Sequence, residues 1–221
     1  MHNVTYVRDF FQHDTLPTGP STGFRADHWA MIDGDSESSW ADARLTSKGE
    51  IEAMDLGRFW TRDMLPRGVP FPEQLYSSPL TRCIQTVTLA SQALDDNEKN
   101  HNKDAPSIRV AECLRETLGV HTCDRRSTRS DLATSFPHLM FDEDFTENDE
   151  LWQTDHRESF EECTARLTVW LQKLFAEDAS DVLLVAAHSG SIRALLRAAG
   201  HPDVWPGRGS INPLLLKAEV V

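Results

Sequence analysis

Arg82 and His188 stand at two places where the sequence repeats one local design. In the first, Gln74-Leu75-Tyr76 reads as a short strand, Ser77-Ser78-Pro79 follows, and a helix runs to about Leu94 with Arg82 in its first turn. Ser78 suits the N-cap of that helix and Pro79 its first position. In the second, the apolar run Val182–Ala187 leads into His188-Ser189-Gly190-Ser191, and a helix spans Ile192 to Ala199. A helix N-terminus presents free N–H groups and partial positive charge, which suits an anion. In doubly wound sheets ligands sit beyond the carboxyl ends of strands. Helical side chains lean toward the N-terminus, so Arg82 reaches into that space, and its planar fork matches a phosphate. A third element, Leu114-Arg115-Glu116-Thr117-Leu118-Gly119, follows the strand expected at Ile108-Arg109-Val110. A carboxyl there can act as a general acid if burial or a neighbouring phosphate raises its pKa.

Taken singly, each residue also has a plainer reading. Arg82 fits a surface salt bridge, His188 a hydrogen-bonded histidine at a strand end, and Glu116 an ordinary helix-start carboxylate. Arg193 and Arg197 fit the solvated face of their helix. The run His121-Thr122-Cys123-Asp124-Arg125-Arg126 holds metal-capable types but no partner set, so it implies no metal; it either orders its segment or, with Arg115, His121 and Arg125, contacts substrate. No cofactor is implied.

The chain has 221 residues, with 22 Lys and Arg against 35 Asp and Glu, a net charge of −13. An average surface of that sign repels a duplex, so nucleic acid is not the expected partner. A small anion needs a local basic pocket. The four cysteines, Cys83, Cys113, Cys123 and Cys163, form no C-x-x-C and read as reduced thiols. No apolar run is long enough to span a membrane and the first residues show no signal-peptide pattern, so the expected location is the cytoplasm. Oligomeric state is left open.

The elements that must position these residues alternate between strand and helix, an α/β pattern. Residues 1–44 read mostly as loop, with turn-rich Thr15–Pro20 and Asp33–Ser36. Thr46 and Ser47 start a helix, with Glu50 as capping-box partner of Ser47. Ile51, Met54, Leu56 and Phe59 give its stripe, and Pro66 stops it. Residues 95–106 form a solvated loop, and 119–157 a polar, irregular insertion packed over a single domain of residues 1–221. Residues 158–176 form an amphipathic helix with Phe160, Cys163, Leu167, Trp170, Leu171 and Leu174 on one side. Val182–Ala187 reads as a strand buried on both faces, and Pro213–Leu216 as the last strand.

Together these stretches resemble the histidine phosphatase (phosphoglycerate mutase-like) superfamily, and more narrowly its fungal branch. The resemblance rests on Leu45-Thr46-Ser47-Lys48-Gly49, Tyr76-Ser77-Ser78-Pro79-Leu80-Thr81-Arg82 with Gln85-Thr86, Leu114-Arg115-Glu116 and Val185-Ala186-Ala187-His188-Ser189-Gly190. The stretch from Gly119 to Arg126, Glu150-Leu151-Trp152 and Trp205-Pro206-Gly207 extend it over nearly the whole chain. It implies a three-layer α/β/α sandwich and phosphomonoester hydrolysis on a small phosphorylated metabolite. Glu116 would be the acid and His188 the second histidine of the phosphate pocket, with Arg82, Asn3 and Ser189 beside it. Such chemistry neutralises the equatorial oxygens, attacks in line and protonates the leaving alkoxide.

The family's nucleophile is the histidine of an N-terminal Arg-His-Gly motif that closes, four residues on, with Asn. The chain contains no Arg-His-Gly. Met1-His2-Asn3-Val4 matches the close of the motif, so the resemblance implies a chain that begins just after the nucleophile, with the first, central strand missing and two strand edges exposed. Three readings follow: a shortened form of an active phosphatase, a phosphate-ester-binding pseudoenzyme, or an acid–base isomerase or hydrolase of a small specialised metabolite using Glu116 and His188. Weak or absent turnover is expected of this chain. Among His2, His13, His28, His121 and Cys123, nothing in the spacing selects a replacement nucleophile.

Overall fold

The apolar run Val182–Ala187 becomes strand β5, and each of its six residues is buried. In the computed structural model, which describes residues 3–9 (as backbone), 30–36, 39–95, 107–207 and 209–218, β5 lies inside a six-stranded sheet. The other strands are β1 (Asn3–Asp9), β2 (Gln74–Ser77), β3 (Ile108–Val110), β4 (Leu139–Phe141) and β6 (Ile211–Leu216). Their order is β4-β3-β2-β5-β1-β6. All neighbours are parallel except β1 and β6. Side chains alternate across a strand, and β5 divides accordingly. Leu183, Val185 and Ala187 join one core with Leu167, Trp170, Leu171, Leu174, Ile192 and Leu195. Val182, Leu184 and Ala186 join the other with Trp60, Leu75, Val87 and Leu94. The result is the expected three-layer α/β/α arrangement.

The expected absence of the first strand is corrected by β1. It runs between β5 and β6, with Val4 opposite Val182 and Asp9 opposite Ala187. Asn-Val-Thr-Tyr-Val-Arg-Asp is rich in β-branched and aromatic residues, which suit a pleated surface. Matching Asn3 to a motif position hid that pattern. With β1 in place, the backbone of β5 is paired on both sides.

The helices are α1 (Ser47–Phe59), α2 (Thr81–Asp95), α3 (Arg129–Ser135), α4 (Phe160–Glu177) and α5 (Ser189–Ala198). Thr46 caps α1 through the Gly49 N–H, one residue before the expected capping position. The buried face of α1 is Ala53, Leu56 and Gly57, continued by Trp60, while Ile51 is 53% exposed. The reason is close helix contact: a Cβ on Gly57 would stand 2.2 Å from the Ala90 carbonyl oxygen of α2. Small residues, not the larger apolar ones, mark this seam. Past Phe59 the chain widens into a π turn at Trp60–Met64 and then tightens into a 3₁₀ turn at Leu65–Arg67 that contains Pro66, closed by Gly68 at φ +85°. Ser159 and Glu162 form a reciprocal capping box at the start of α4.

One further expectation changes. Residues 119–157 are not only a cover, because β4 within them is the sheet's edge strand beside β3. The turns at 15–20 and most of the 95–106 loop lie outside the described residues.

Candidate active site

Parallel strands β2 and β5 deliver their carboxyl ends side by side, with Ser77 aligned with Ala186. The Ser78 N–H donates to the Ala186 carbonyl at 2.9 Å. The next residue of each strand meets the other: His188 Nε2 lies 2.8 Å from Ser78 Oγ. His188 is fully buried. Burial, followed by the charges of Arg82, Arg115 and Arg166, drives its pKa well below 6.5, so the ring is neutral at physiological pH. A neutral imidazole can donate through one nitrogen and accept through the other.

The helix after β2 begins later than expected, at Thr81 rather than Pro79. Its first N–H is capped by a residue remote in sequence. The Asp42 carboxylate accepts from the Thr81 N–H and hydroxyl, both at 2.8 Å, and from the Ser127 N–H and hydroxyl at 2.9 and 2.6 Å. Arg82 follows directly and is 2% exposed. Its Nη1 donates to the Cys123 carbonyl at 2.7 Å and its Nη2 to Asp124 Oδ1 at 3.0 Å. Burial, the largest influence, opposes its charge, but Asp124, Cys123, Cys83 and Glu116 together outweigh it and hold the guanidinium protonated.

Glu116 comes from the loop after β3. Its Oε2 accepts from the Gly190 N–H at 3.2 Å and its Oε1 from the Thr117 N–H at 2.9 Å. The carboxyl is thereby seated on the N-terminus of α5. The fit is close: a Cβ on Gly190 would stand 2.0 Å from Glu116 Oε1. Burial, then the negative charge of Asp124, raises the Glu116 pKa, against the pull of the two N–H groups and Arg82. Such a carboxyl is suited to hold a proton and deliver it.

Arg82, Glu116 and His188 are therefore assembled into one electrostatically linked cluster, with partly buried Ser189 at the first position of α5. Asn3 is not part of it. The register puts Asn3 opposite Leu216 and Asp9 opposite Ala187, so Asn3 lies at the far end of β1, about 20 Å away at about 3.3 Å per residue. Arg115 is also placed elsewhere. Its fully buried guanidinium forks onto Asp149 at 2.7 and 2.6 Å and reaches the Asp124 carbonyl at 2.7 Å, a role inside the insertion. Arg125 pairs with Asp33 at 2.8 Å and stacks on Trp152. His121 Nδ1 lies 4.0 Å from Asp124 Oδ2, and its carbonyl accepts from Trp152 Nε1. The Cys123 thiol is pushed up to about 12 by burial and Asp124, which makes it a poor nucleophile at neutral pH. The four cysteines are free. His2, His13 and His28 lie outside the described residues.

Sequence reasoning missed Asp124, Arg157 and Asp42. Asp124 Oδ2 accepts from Arg157 Nη1 at 3.0 Å, and the same nitrogen donates to the Thr117 and Gly119 carbonyls at 2.8 and 2.6 Å. The available signal was an acidic residue inside an Arg-rich run of an acidic chain; only the fold shows which arginines it serves.

The fold is thus a mostly parallel α/β sheet with a cluster of charged side chains at the carboxyl ends of its inner strands. The profile of the histidine phosphatase superfamily (branch 1) matches residues 33–208, and the chain belongs to that superfamily. A "Probable phosphoglycerate mutase" of Arthroderma benhamiae is 37% identical over 194 residues, covering 87% of this chain and 56% of that protein. A "Probable phosphoglycerate mutase" of Saccharomyces cerevisiae is 31% identical over 191 residues, covering 80% and 65%. The chain thus spans less than two thirds of the length of either fungal relative. Among solved structures, a mycobacterial glucosyl-3-phosphoglycerate phosphatase shares the fold at a TM-score of 0.53 and 16% identity, covering 96% of this chain and 88% of that one. No helix among the described residues is long and apolar enough to cross a membrane.

Proposed function

We propose that this chain binds a small phosphate monoester at the carboxyl ends of β2 and β5 and belongs to a phosphomonoester hydrolase. The observation that carries the reading is the convergence of Arg82, Glu116 and His188, three residues far apart in sequence, on the N-terminus of α5. In this reading Arg82 and the N–H groups at Ser189 and Gly190 take the phosphoryl oxygens. Neutral His188 hydrogen-bonds the phosphoryl group, and Glu116 protonates the leaving alkoxide. A second reading, binding without turnover, is favoured by the lack of Arg-His-Gly among the 221 residues.

The test is hydrolysis of an aryl phosphate monoester by the 221-residue chain, from about pH 4 to about pH 8 to bracket a raised carboxyl, beside His188→Ala, with inorganic phosphate binding measured in parallel. Turnover lost in His188→Ala supports the hydrolase. Binding without turnover selects the second reading. A folded chain that neither turns over nor binds phosphate overturns both.

A further inference from the structure

Two carboxylates occupy donors that an incoming anion would need. Glu116 Oε2 accepts from the Gly190 N–H, and Asp124 Oδ1 accepts from Arg82 Nη2. Their surroundings differ. Asp124, 3% exposed, has one oxygen on Arg82 and the other on Arg157. Among the described residues, the donors directly on the Glu116 carboxyl are the neutral Thr117 N–H, Thr117 O–H and Gly190 N–H. Arg157 Nη1 spans the Asp124 carboxylate and the carbonyl of Thr117, the residue after Glu116, so the two acids are held in one neighbourhood.

We infer that Asp124 is a positioning residue that couples anion binding at Arg82 to protonation of Glu116, so that the phosphate ester and the catalytic proton enter the site together. This rests on the phosphate-site reading above. An anion beside Arg82 adds negative charge next to both carboxylates. Asp124 is clamped between two guanidinium groups, one on each oxygen. Glu116, whose carboxyl no cation among the described residues touches, takes the proton. The ligand-bound site is then already loaded with the acid that the leaving alkoxide requires.

The charged and titratable groups facing this pair, among the described residues, come from each packed element. Arg82 lies on α2 and neutral His188 follows β5. His121 and Cys123 flank Asp124 in its own loop, and Arg115 donates to the Asp124 carbonyl. Arg157 precedes α4, and Arg166 and Cys163 lie on it, with Arg166 donating to the Glu116 carbonyl at 3.4 Å. The cations are shared by ligand-free and ligand-bound states; the anion is the new charge, and Glu116 is the carboxyl left to answer it.

The test is calorimetric titration of the full chain with sulfate, which stays a dianion throughout, in buffers of different ionisation enthalpy from about pH 5 to about pH 8.5. Any proton taken up then belongs to the protein. The expected result is uptake approaching about one proton per sulfate at the pH of maximum uptake, and its loss in Glu116→Gln. Asp124→Asn removes the like charge, so the uptake window moves down by about one pH unit and sulfate binds about tenfold tighter near its alkaline end. Arg157→Gln, at a partly exposed position, removes a cation and moves the window up. Opposite shifts are not produced by two variants that merely loosen the fold, and the wild-type and Arg157→Gln titrations decide the matter if Asp124→Asn does not fold. Sulfate binding without proton uptake, uptake retained in Glu116→Gln, or shifts of the same sign overturn the inference while leaving the anion site standing. No sulfate binding in any folded chain overturns the anion-site reading and the inference with it.

Discussion

Around β5, the layers meet through Leu167, Trp170, Leu183, Ile192 and Leu195, each at most 4% exposed. Across residues 112–166, comparable burial is reached with Arg115, Asp124, Arg126 and Asp149, joined by Arg115–Asp149, Arg126–Glu112 and Arg157–Asp124 pairs. Apolar burial has no direction: each side chain contributes about 1.5–3 kcal/mol wherever it finds a neighbour. Buried ion pairs are directional. Each charge has been stripped of water at a cost its partner must offset, so the loss of one partner is severe and the loss of both is mild. The first region supplies a rigid frame, while the second sets where Asp124 and Glu116 stand.

The largest effect sharpens the apolar side of this contrast. Trp170→Ala opens a cavity between α4 and the sheet and is expected to cost about 3–5 kcal/mol in urea unfolding. Arg115→Met should cost nearly as much, about 3–5 kcal/mol, because it leaves Asp149 buried without its fork. The contrast breaks if Arg115→Met/Asp149→Leu is no closer to wild type than Arg115→Met alone; recovery of most of the loss is expected.

Gly57→Ala probes the helix seam, where a methyl meets the Ala90 backbone carbonyl. The expected loss is about 1–3 kcal/mol, with phosphate binding unchanged. Gly190→Ala places its methyl against Glu116 instead, so a smaller stability loss should come with weakened phosphate binding. A Gly190→Ala chain that binds phosphate as wild type does would remove Glu116 from the site.

The smallest effect is on pH dependence. Although burial opposes it, Arg115 holds the Asp149 carboxyl below its usual range. The folded pKa is depressed, so the stabilisation is present above the unfolded value of about 3.9 and is lost as pH falls through the folded value. The urea midpoint should therefore decline below about pH 4, and Asp149→Asn should remove that part of the decline. A midpoint with the same acid slope in both chains would show that Asp149 is not the group responsible.

The legible parts of the fold were those governed by local periodicity. The run Val182–Ala187, the stripe from Phe160 to Leu174 and the Ser-Ser-Pro turn before Arg82 each imply their element. β1 was misread because a motif match at Asn3 was weighed above its strand-forming composition. The α1 seam was misread because Gly57 and Ala53 carry no hydrophobic signal; their smallness matters only once α2 is beside them. Of the site, Arg82, Glu116 and His188 were legible as residue types at strand-to-helix junctions. Asp42 capping α2 from another part of the chain and Asp124 clamped between Arg82 and Arg157 were not.

By itself, then, the sequence determined the order of elements, the doubly buried strand and the two junctions that carry Arg82 and His188, because period and turn chemistry act within a few residues. The tertiary structure alone decided that β1 lies between β5 and β6, that Asn3 lies far from the site, and that Arg115 serves the insertion. It also decided which carboxylates face which guanidinium groups. Charge pairing and desolvation depend on distances through space, and those exist only after the chain has folded.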